Sequence, residues 1–368
     1  MTITLQSLAL DRWVEPIGGF VDIPSAVDGG IVARASSAGL DFAAMAGHAR
    51  EVGGPALRQL TFHRRADMLR ALAAYLTERK EPLYRLAGDT GANRRDNMID
   101  IDGGIGTLSA YASRGRRDLP DARFVVEGDV ESLSKAGSFV GRHILSPLHG
   151  VAVHINAFNF PCWGLLEKLA PALLAGVPVI AKPATATAYV TEALVRLMHE
   201  SGVLPAGSLQ LICGATGDLL DHLGGQDVIS FTGSIETSDR LRRHPNIAKH
   251  SIRFVAERDS LNAAVLGPDV TPAEPEFDLF VREVIREMTV KAGQKCTAIR
   301  RALVPRAQEA AVIAALQAGL AKIRLGDPRV EEKTTMGPLV SRAQRDAVRA
   351  SVATLQAEIG RASCRERV

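Results

Sequence analysis

An α/β fold is predicted, with a mainly parallel sheet covered by helices on both faces. Three observations predict it. From residue 150 onward, short apolar runs alternate with helical patterns, as strand–helix–strand crossovers require. The 368 residues, 46% hydrophobic and 23% charged, have the composition of a globular protein large enough for two domains. The polar motifs follow directly after the apolar runs, where the carboxyl ends of parallel strands bind ligands.

The elements follow in order. The N-terminal part is expected to be helical after a short leader. Residues 60–80 place Leu60, Met68, Leu69, Leu72 and Leu76 on one side at helical spacing. Residues 96–114 read similarly, with an interruption at Gly103–Gly104, and 120–142 read as an irregular or β-rich connection. Strands are expected at 151–155, 177–182, 209–213 and 228–232, with helices at 163–174, 186–201, 219–223 and 235–243 between and after them. A Pro- and acid-rich linker covers 267–277, and a helix at 278–290 delivers Cys296 just past its end. Strands at 302–305 and 322–325 flank a helix at 307–321, and a last helix covers 342–358. The final ten residues lose this periodicity and resemble a translated sequencing adapter, so 359–368 is expected to be a non-native tail.

Charge and cysteine content exclude several classes. A net charge of +3 without a long basic run does not suggest nucleic acid as a partner. The four cysteines form no CxxC pair and no zinc-type cluster, so no metal is expected, and free thiols fit a reducing cytoplasm. No basic region followed by an apolar core opens the chain, and the apolar runs are too short to span a membrane.

Five motifs carry candidate chemistry. Cys296 follows a Gly-Gln-Lys run, with Lys291, Lys295, Arg300 and Arg301 around it. Positive potential and oriented N–H groups lower a thiol's pKa and make it nucleophilic, although a free cysteine is more often a core residue. Glu257 follows an apolar strand 39 residues earlier. It is either a partly buried general base or a surface acid paired with Arg258. Asn159, in Asn-Phe-Pro after the first strand, either donates into an active site or caps the next helix, whose first turn suits Pro161. Lys182, before Pro183 at a strand end, either holds a ribose or phosphate or belongs to a solvated turn. Phe231-Thr232-Gly233-Ser234 opens a helix whose N-terminus favours a pyrophosphate. The GxGxxG fingerprint is absent.

In this order and approximate spacing the five motifs resemble the NAD(P)-dependent aldehyde dehydrogenase superfamily. The likeness runs from residue 60 to about 358. Within it, INAFNFPCWG, KPATATA, DSLN and EMTVKAGQKCTAIRR look like the branch active in phenylacetate degradation, where the dehydrogenase is fused to a hot-dog enoyl-CoA hydratase. The branch acting on 3,4-dehydroadipyl-CoA semialdehyde, in benzoyl-CoA breakdown, is nearly as similar.

The resemblance implies a Rossmann-type cofactor domain within 1–265 and an incomplete α/β catalytic domain at 266–358. It implies that Cys296 is the nucleophile, Asn159 an oxyanion donor and Glu257 the base that activates water, giving a free carboxylate. It also implies that Lys182 binds the adenosine ribose, with Phe231, Thr232, Gly233 and Ser234 near the pyrophosphate. NAD-preferring members commonly carry glutamate three residues after the lysine. Thr185 stands there instead, so NADP is expected, with NAD the alternative. Two departures stand out. Arg258 replaces a small residue and is expected to stabilise the charged form of Glu257. The family's later Glu-x-Phe-Gly-Pro motif and its oligomerisation strand are absent, so this chain alone is expected to be inactive. The expected partners are a CoA-linked aldehyde, further copies of the complete protein, and a fused C-terminal hydratase. The competing class is a non-catalytic structural relative, disfavoured because Cys296 and Glu257 are both present.

Overall fold

The computed structural model describes residues 2–331 and 333–365, with side chains described to residue 358. Of the expected tail, the backbone is described to residue 365, while its side chains and residues 366–368 lie outside the described residues. The chain divides into two compact units. The first comprises 1–23, 33–86 and 97–259, and the second 24–32, 87–96 and 260–368.

The N-terminal segment departs from the helical expectation. It holds five short strands: β1 (Ile3–Thr4), β2 (Ser7–Ala9), β3 (Arg12–Val14), β4 (Val21–Pro24) and β5 (Ile31–Ala35). Runs of two to five residues are too short to show a strand period, which is why the sequence hid them. After β5 come α1 (Phe42–His48), α2 (Gly54–Gln59) and α3 (Phe62–Arg79). Thr61 caps α3 by accepting from the Arg64 N–H at 3.2 Å, and Ala66, Leu69, Leu72, Ala73 and Leu76 form its buried stripe. Next are α4 (Glu81–Ala87), α5 (Arg94–Asn97), a wide turn at Met98–Asp102, and α6 (Gly103–Asp118). A Cβ on Gly104 would lie 2.9 Å from the Trp163 Cα, so the Gly-Gly pair allows close packing at the start of α6. The β-rich connection is a hairpin, β6 (Val125–Ser132) with β7 (Val140–Leu145).

The alternating region follows as expected: β8 (Ala152–Ile155), α7 (Trp163–Leu174), β9 (Val179–Lys182), α8 (Ala188–Glu200), β10 (Leu209–Leu211), β11 (Val228–Gly233), α9 (Ile235–Arg242), α10 (Pro245–Lys249) and β12 (Arg253–Arg258). The sheet runs β12-β11-β8-β9-β10-β2-β3. Its first five strands are parallel, and β2 and β3 extend it antiparallel. Val153, Ile155, Ile180, Ile229 and Phe231 of the sheet share one core with Phe42, Met45 and Leu219.

The second unit holds β13 (Asn262–Val265), α11 (Pro275–Thr289), β14 (Ile299–Leu303), α12 (Glu309–Leu320) and α13 (Arg342–Arg365). β13 and β14 pair in parallel. Its core cluster is small, with Leu266, Phe277, Val281 and Val312 buried. The strand expected at 322–325 does not form; a single bridge joins Leu325 to Met336.

Candidate active site

Strand register brings most of the expected residues of the first unit to one edge. Ile155 pairs with Lys182 on one side and Phe231 on the other. Phe231 pairs with Ala256, and Thr232 with Glu257. Lys182, Thr232 and Glu257 therefore lie at the carboxyl ends of β9, β11 and β12, with β8 between the first two, and Asn159 and Thr185 lie in turns leaving that same edge. This is the edge where open α/β sheets bind ligands.

The Asn159 turn is pinned from outside. The first N–H groups of α7 donate to the fully buried Asp100 carboxylate, Trp163 at 2.8 Å and Cys162 at 3.1 Å. Asp100, rather than the half-buried Asn159, thus accepts from the first N–H groups of α7, and the capping alternative for Asn159 is not realised. Pro161 lies two residues ahead of the helix rather than in its first turn. The buried hydroxyls of Thr187 and Thr191 donate to the carbonyls of Phe158 at 3.1 Å and Pro161 at 2.9 Å.

Beside it, Lys182 is half-buried, and its desolvation draws its pKa below the usual lysine value. Thr185 opens the short turn Thr185–Thr187. A Cβ on Gly233 would meet the Phe231 ring at 2.6 Å, so the turn after β11 accepts only glycine without displacement. Phe231 itself, expected near the cofactor, is buried in the core and acts through packing. Ser234 caps α9, its hydroxyl accepting from Thr237 at 3.3 Å, and the Ile235 N–H donates to Asp259 at 3.4 Å. The buried Thr232 hydroxyl has no hydrogen-bond partner among the described residues. An unsatisfied buried hydroxyl, a desolvated ammonium and a helix N-terminus at one edge fit an anionic dinucleotide. Asp259, Glu257 and Glu236 in the first turn of α9 are discordant charges there.

Glu257 is exposed, not partly buried as expected. Successive strand residues point to opposite faces, and Arg258 binds Asp239 at 2.7 Å. Among the described residues Arg258 pairs with Asp239 and not with Glu257.

The second unit holds Cys296. Past α11 the backbone turns left-handed for three residues, with φ of 54° at Lys291, 53° at Ala292 and 72° at Gly293. Cys296 is exposed, so it is not the core cysteine of the alternative reading. Its carbonyl accepts from Asn262 Nδ2 at 2.5 Å and from the Ser260 hydroxyl. Gln294 donates to the Lys291 carbonyl at 3.0 Å and accepts from the Val340 N–H at 3.1 Å. Three of the four cations expected to activate the thiol are engaged elsewhere. Lys295 is buried and paired with Glu287 at 2.7 Å. Arg300 donates to the carbonyls of Gly293 and Lys295, and Arg301 to that of Leu261. They shape the loop. Asp96, Asp100 and Glu287 escaped the sequence reading because carboxylates in Arg-rich helical stretches look like solvated surface charges. Their one available signal was that Asp96 and Asp100 lie four apart, on one helical face.

A 3,4-dehydroadipyl-CoA semialdehyde dehydrogenase of Aromatoleum evansii is 46% identical over 355 residues, 96% of this chain and 68% of that protein. An N-succinylglutamate 5-semialdehyde dehydrogenase of Chromobacterium violaceum is 33% identical over 321 residues, 85% of this chain and 61% of that protein. The chain thus spans about two thirds of the length of these relatives. Among solved structures, betaine aldehyde dehydrogenase of Staphylococcus aureus in complex with NAD+ superposes with a TM-score of 0.84 at 26% identity, covering 97% of this chain and 68% of that one. Lactaldehyde dehydrogenase of Escherichia coli shares the fold, with a TM-score of 0.84 at 21% identity, covering 96% of this chain and 71% of that one. The aldehyde dehydrogenase family pattern matches residues 13–367, and the chain belongs to that family.

Proposed function

We propose that this chain carries the cofactor-binding part and the nucleophile of an enzyme that oxidises a CoA-linked semialdehyde to its carboxylate with NADP. The observation that carries this reading is the row of Asn159, Lys182, Thr232 and Glu257 along one carboxyl edge, in a family whose members oxidise aldehydes. Cys296 Sγ attacks the aldehyde carbon and forms a thiohemiacetal. The Asn159 amide and the Cys296 N–H stabilise its oxyanion. NADP, when bound, would supply the acceptor for the hydride of this carbon. The product on Cys296 is a thioester. Glu257 takes a proton from water, which attacks the thioester, and the carboxylate leaves as the thiol is restored. Lys182 would hold the adenosine ribose, and Thr185 would tolerate a 2′-phosphate that a glutamate would repel.

Two ring-opened substrates follow from the resemblance: the 3-oxo-5,6-dehydrosuberyl-CoA semialdehyde of phenylacetate catabolism and 3,4-dehydroadipyl-CoA semialdehyde. The Aromatoleum relative favours the second. The test compares kcat/KM of the complete protein for both CoA-linked semialdehydes, for free aldehydes, and for NADP against NAD. NADP is expected to win by about tenfold or more, with Thr185→Glu reversing the order. Equal rates with free and CoA-linked aldehydes would reduce the assignment to a general aldehyde dehydrogenase. The hairpin leaves Val126, Val130, Phe139, Val140 and Ile144 exposed, which supports assembly into a homo-oligomer, to be read by light scattering. A cytoplasmic location fits the free cysteines, and no described helix is long and apolar enough to cross a membrane. The fused hydratase rests on the resemblance alone, and the gene downstream decides it.

A further inference from the structure

The turn that leads into Cys296 is unfavourable for its own residues. Lys291 and Ala292 both adopt left-handed backbone angles, which L-residues rarely do singly and which persist only when the surroundings hold them. The hold at Lys291 comes from Asp96, a residue far away in sequence. The Lys291 N–H donates to Asp96 Oδ1 at 3.0 Å, and Asp96 is only 2% exposed. Asp96 is itself braced. Its N–H donates to Asn93 Oδ1 at 2.9 Å, and Asn93 Nδ2 donates to the Thr335 carbonyl at 2.8 Å. Burial raises the Asp96 pKa, while the Lys291 N–H and the charges of Lys291 and Lys295 oppose that rise. A buried carboxylate facing two buried lysines beneath a reactive loop is costly to assemble and disruptive to break.

We propose that Asp96 is a positioning residue for the nucleophile, its carboxylate holding the left-handed turn at Lys291–Gly293 and thereby the direction in which Cys296 presents its sulfur. The inference rests on the assignment of Cys296 as nucleophile. Asp96 makes no step of the reaction; it acts through the backbone of the turn.

The experiment uses the complete protein carrying Asp96→Ala, Asp96→Asn, Asp96→Glu or Cys296→Ala. It reads kcat, KM for the aldehyde, and the rate at which iodoacetamide alkylates Cys296, followed by peptide mass spectrometry. Asp96→Ala is expected to lower kcat by about tenfold to a hundredfold and change the alkylation rate at least about fivefold, with KM within about threefold. Asp96→Asn keeps an acceptor oxygen and should stay within about threefold of the parent in every readout. A folded Asp96→Ala protein with parental kcat and alkylation rate overturns the inference, and so does an Asp96→Asn protein as impaired as Asp96→Ala. If Asp96→Ala does not fold, Asp96→Glu decides, because it keeps the charge but displaces the acceptor by one methylene. A kcat lowered at unchanged KM supports the proposal, and a parental kcat and alkylation rate overturn it. Aldehyde oxidation retained by Cys296→Ala sinks the nucleophile assignment itself, an outcome distinct from failure at Asp96.

Discussion

The loops carrying Asn159 and Cys296 are held by opposite means. The Asn159 turn leaves a seven-stranded sheet whose apolar face is packed with Val153, Ile155, Ile180, Ile229 and Phe231. Its polar anchors, Asp100, Thr187 and Thr191, are 0–1% exposed. The Cys296 loop rises from a unit with a small core and a two-stranded sheet in which Val265 is 70% and Leu303 54% exposed. Its shape comes from polar staples: Asp96 to Lys291, Glu287 to Lys295, and Asn262 to the Cys296 carbonyl. Hydrophobic burial is spread over many residues and averages out single losses. A staple is one bond, and its loss moves the loop. Substitutions around Asn159 should therefore register mainly as stability, and those around Cys296 mainly as rate.

The largest effects break the chemistry on each side. Cys296→Ala is expected to lower aldehyde oxidation by the complete protein about a thousandfold or more, because no other group supplies the covalent intermediate. Asn159→Ala should cost about 10²–10³ in kcat, the usual loss for one oxyanion donor, with little change in melting temperature. Nicotinamide absorbance measures both. A Cys296→Ala protein with unimpaired turnover would return the chain to the non-catalytic class.

Asp100→Ala should show the opposite profile. It leaves the N–H groups of Cys162 and Trp163 buried without their acceptor, which costs about 3 kcal/mol of stability. Urea unfolding monitored by circular dichroism measures it. A loss below about 1 kcal/mol would mean that the α7 N-terminus is satisfied in some other way.

How much of this was legible depended on the range of the interactions. The strands and helices from β8 to β12 were readable because apolar runs of local period, bounded by turn residues, fix them. The four motifs of the sheet were readable for the same reason, since each sits at or just past the end of a strand, whereas Cys296 follows α11. What supports them was not. Asp96 reaches Lys291 across 195 positions and Asp100 reaches Cys162 across 62, and nothing in a local window distinguishes either from a surface acid. The cations near Cys296 misled in the converse way. Their proximity in sequence suggested a field on the thiol, whereas Glu287 and three backbone carbonyls engage three of them.

His154 gives the sheet side a pH signature. It lies wholly buried on β8, where burial first and the Lys168 charge second bring its pKa from 6.5 to about 3, and its Nδ1 has no partner among the described residues. The folded value is depressed, so the neutral ring is the native form. Its stability contribution is complete above about pH 6.5 and is lost as pH falls toward 3. Each unit of that fall should cost about 1.4 kcal/mol, or about 2 kcal/mol by pH 5. His154→Val should remove that part of the difference between urea unfolding at pH 7 and pH 5. An unchanged difference would show that His154 does not carry it.

Arg258 should have the smallest effect, and it tests whether the faces of β12 are assigned correctly. Arg258 binds Asp239 with both side chains well exposed, 36% and 42%, so the pair should contribute no more than about 0.5–1 kcal/mol. The sequence suggested more, because a cation next to a general base should favour its ionised form and shift the pH–rate profile. The strand denies it that route, since residues 257 and 258 project to opposite faces. Arg258→Ala should therefore leave kcat within about twofold of the parent while costing only this small stability term, read by urea unfolding. A kcat lowered about tenfold or more would show that Arg258 does act on Glu257, and that the conformation of β12 during turnover differs from the one in this structure.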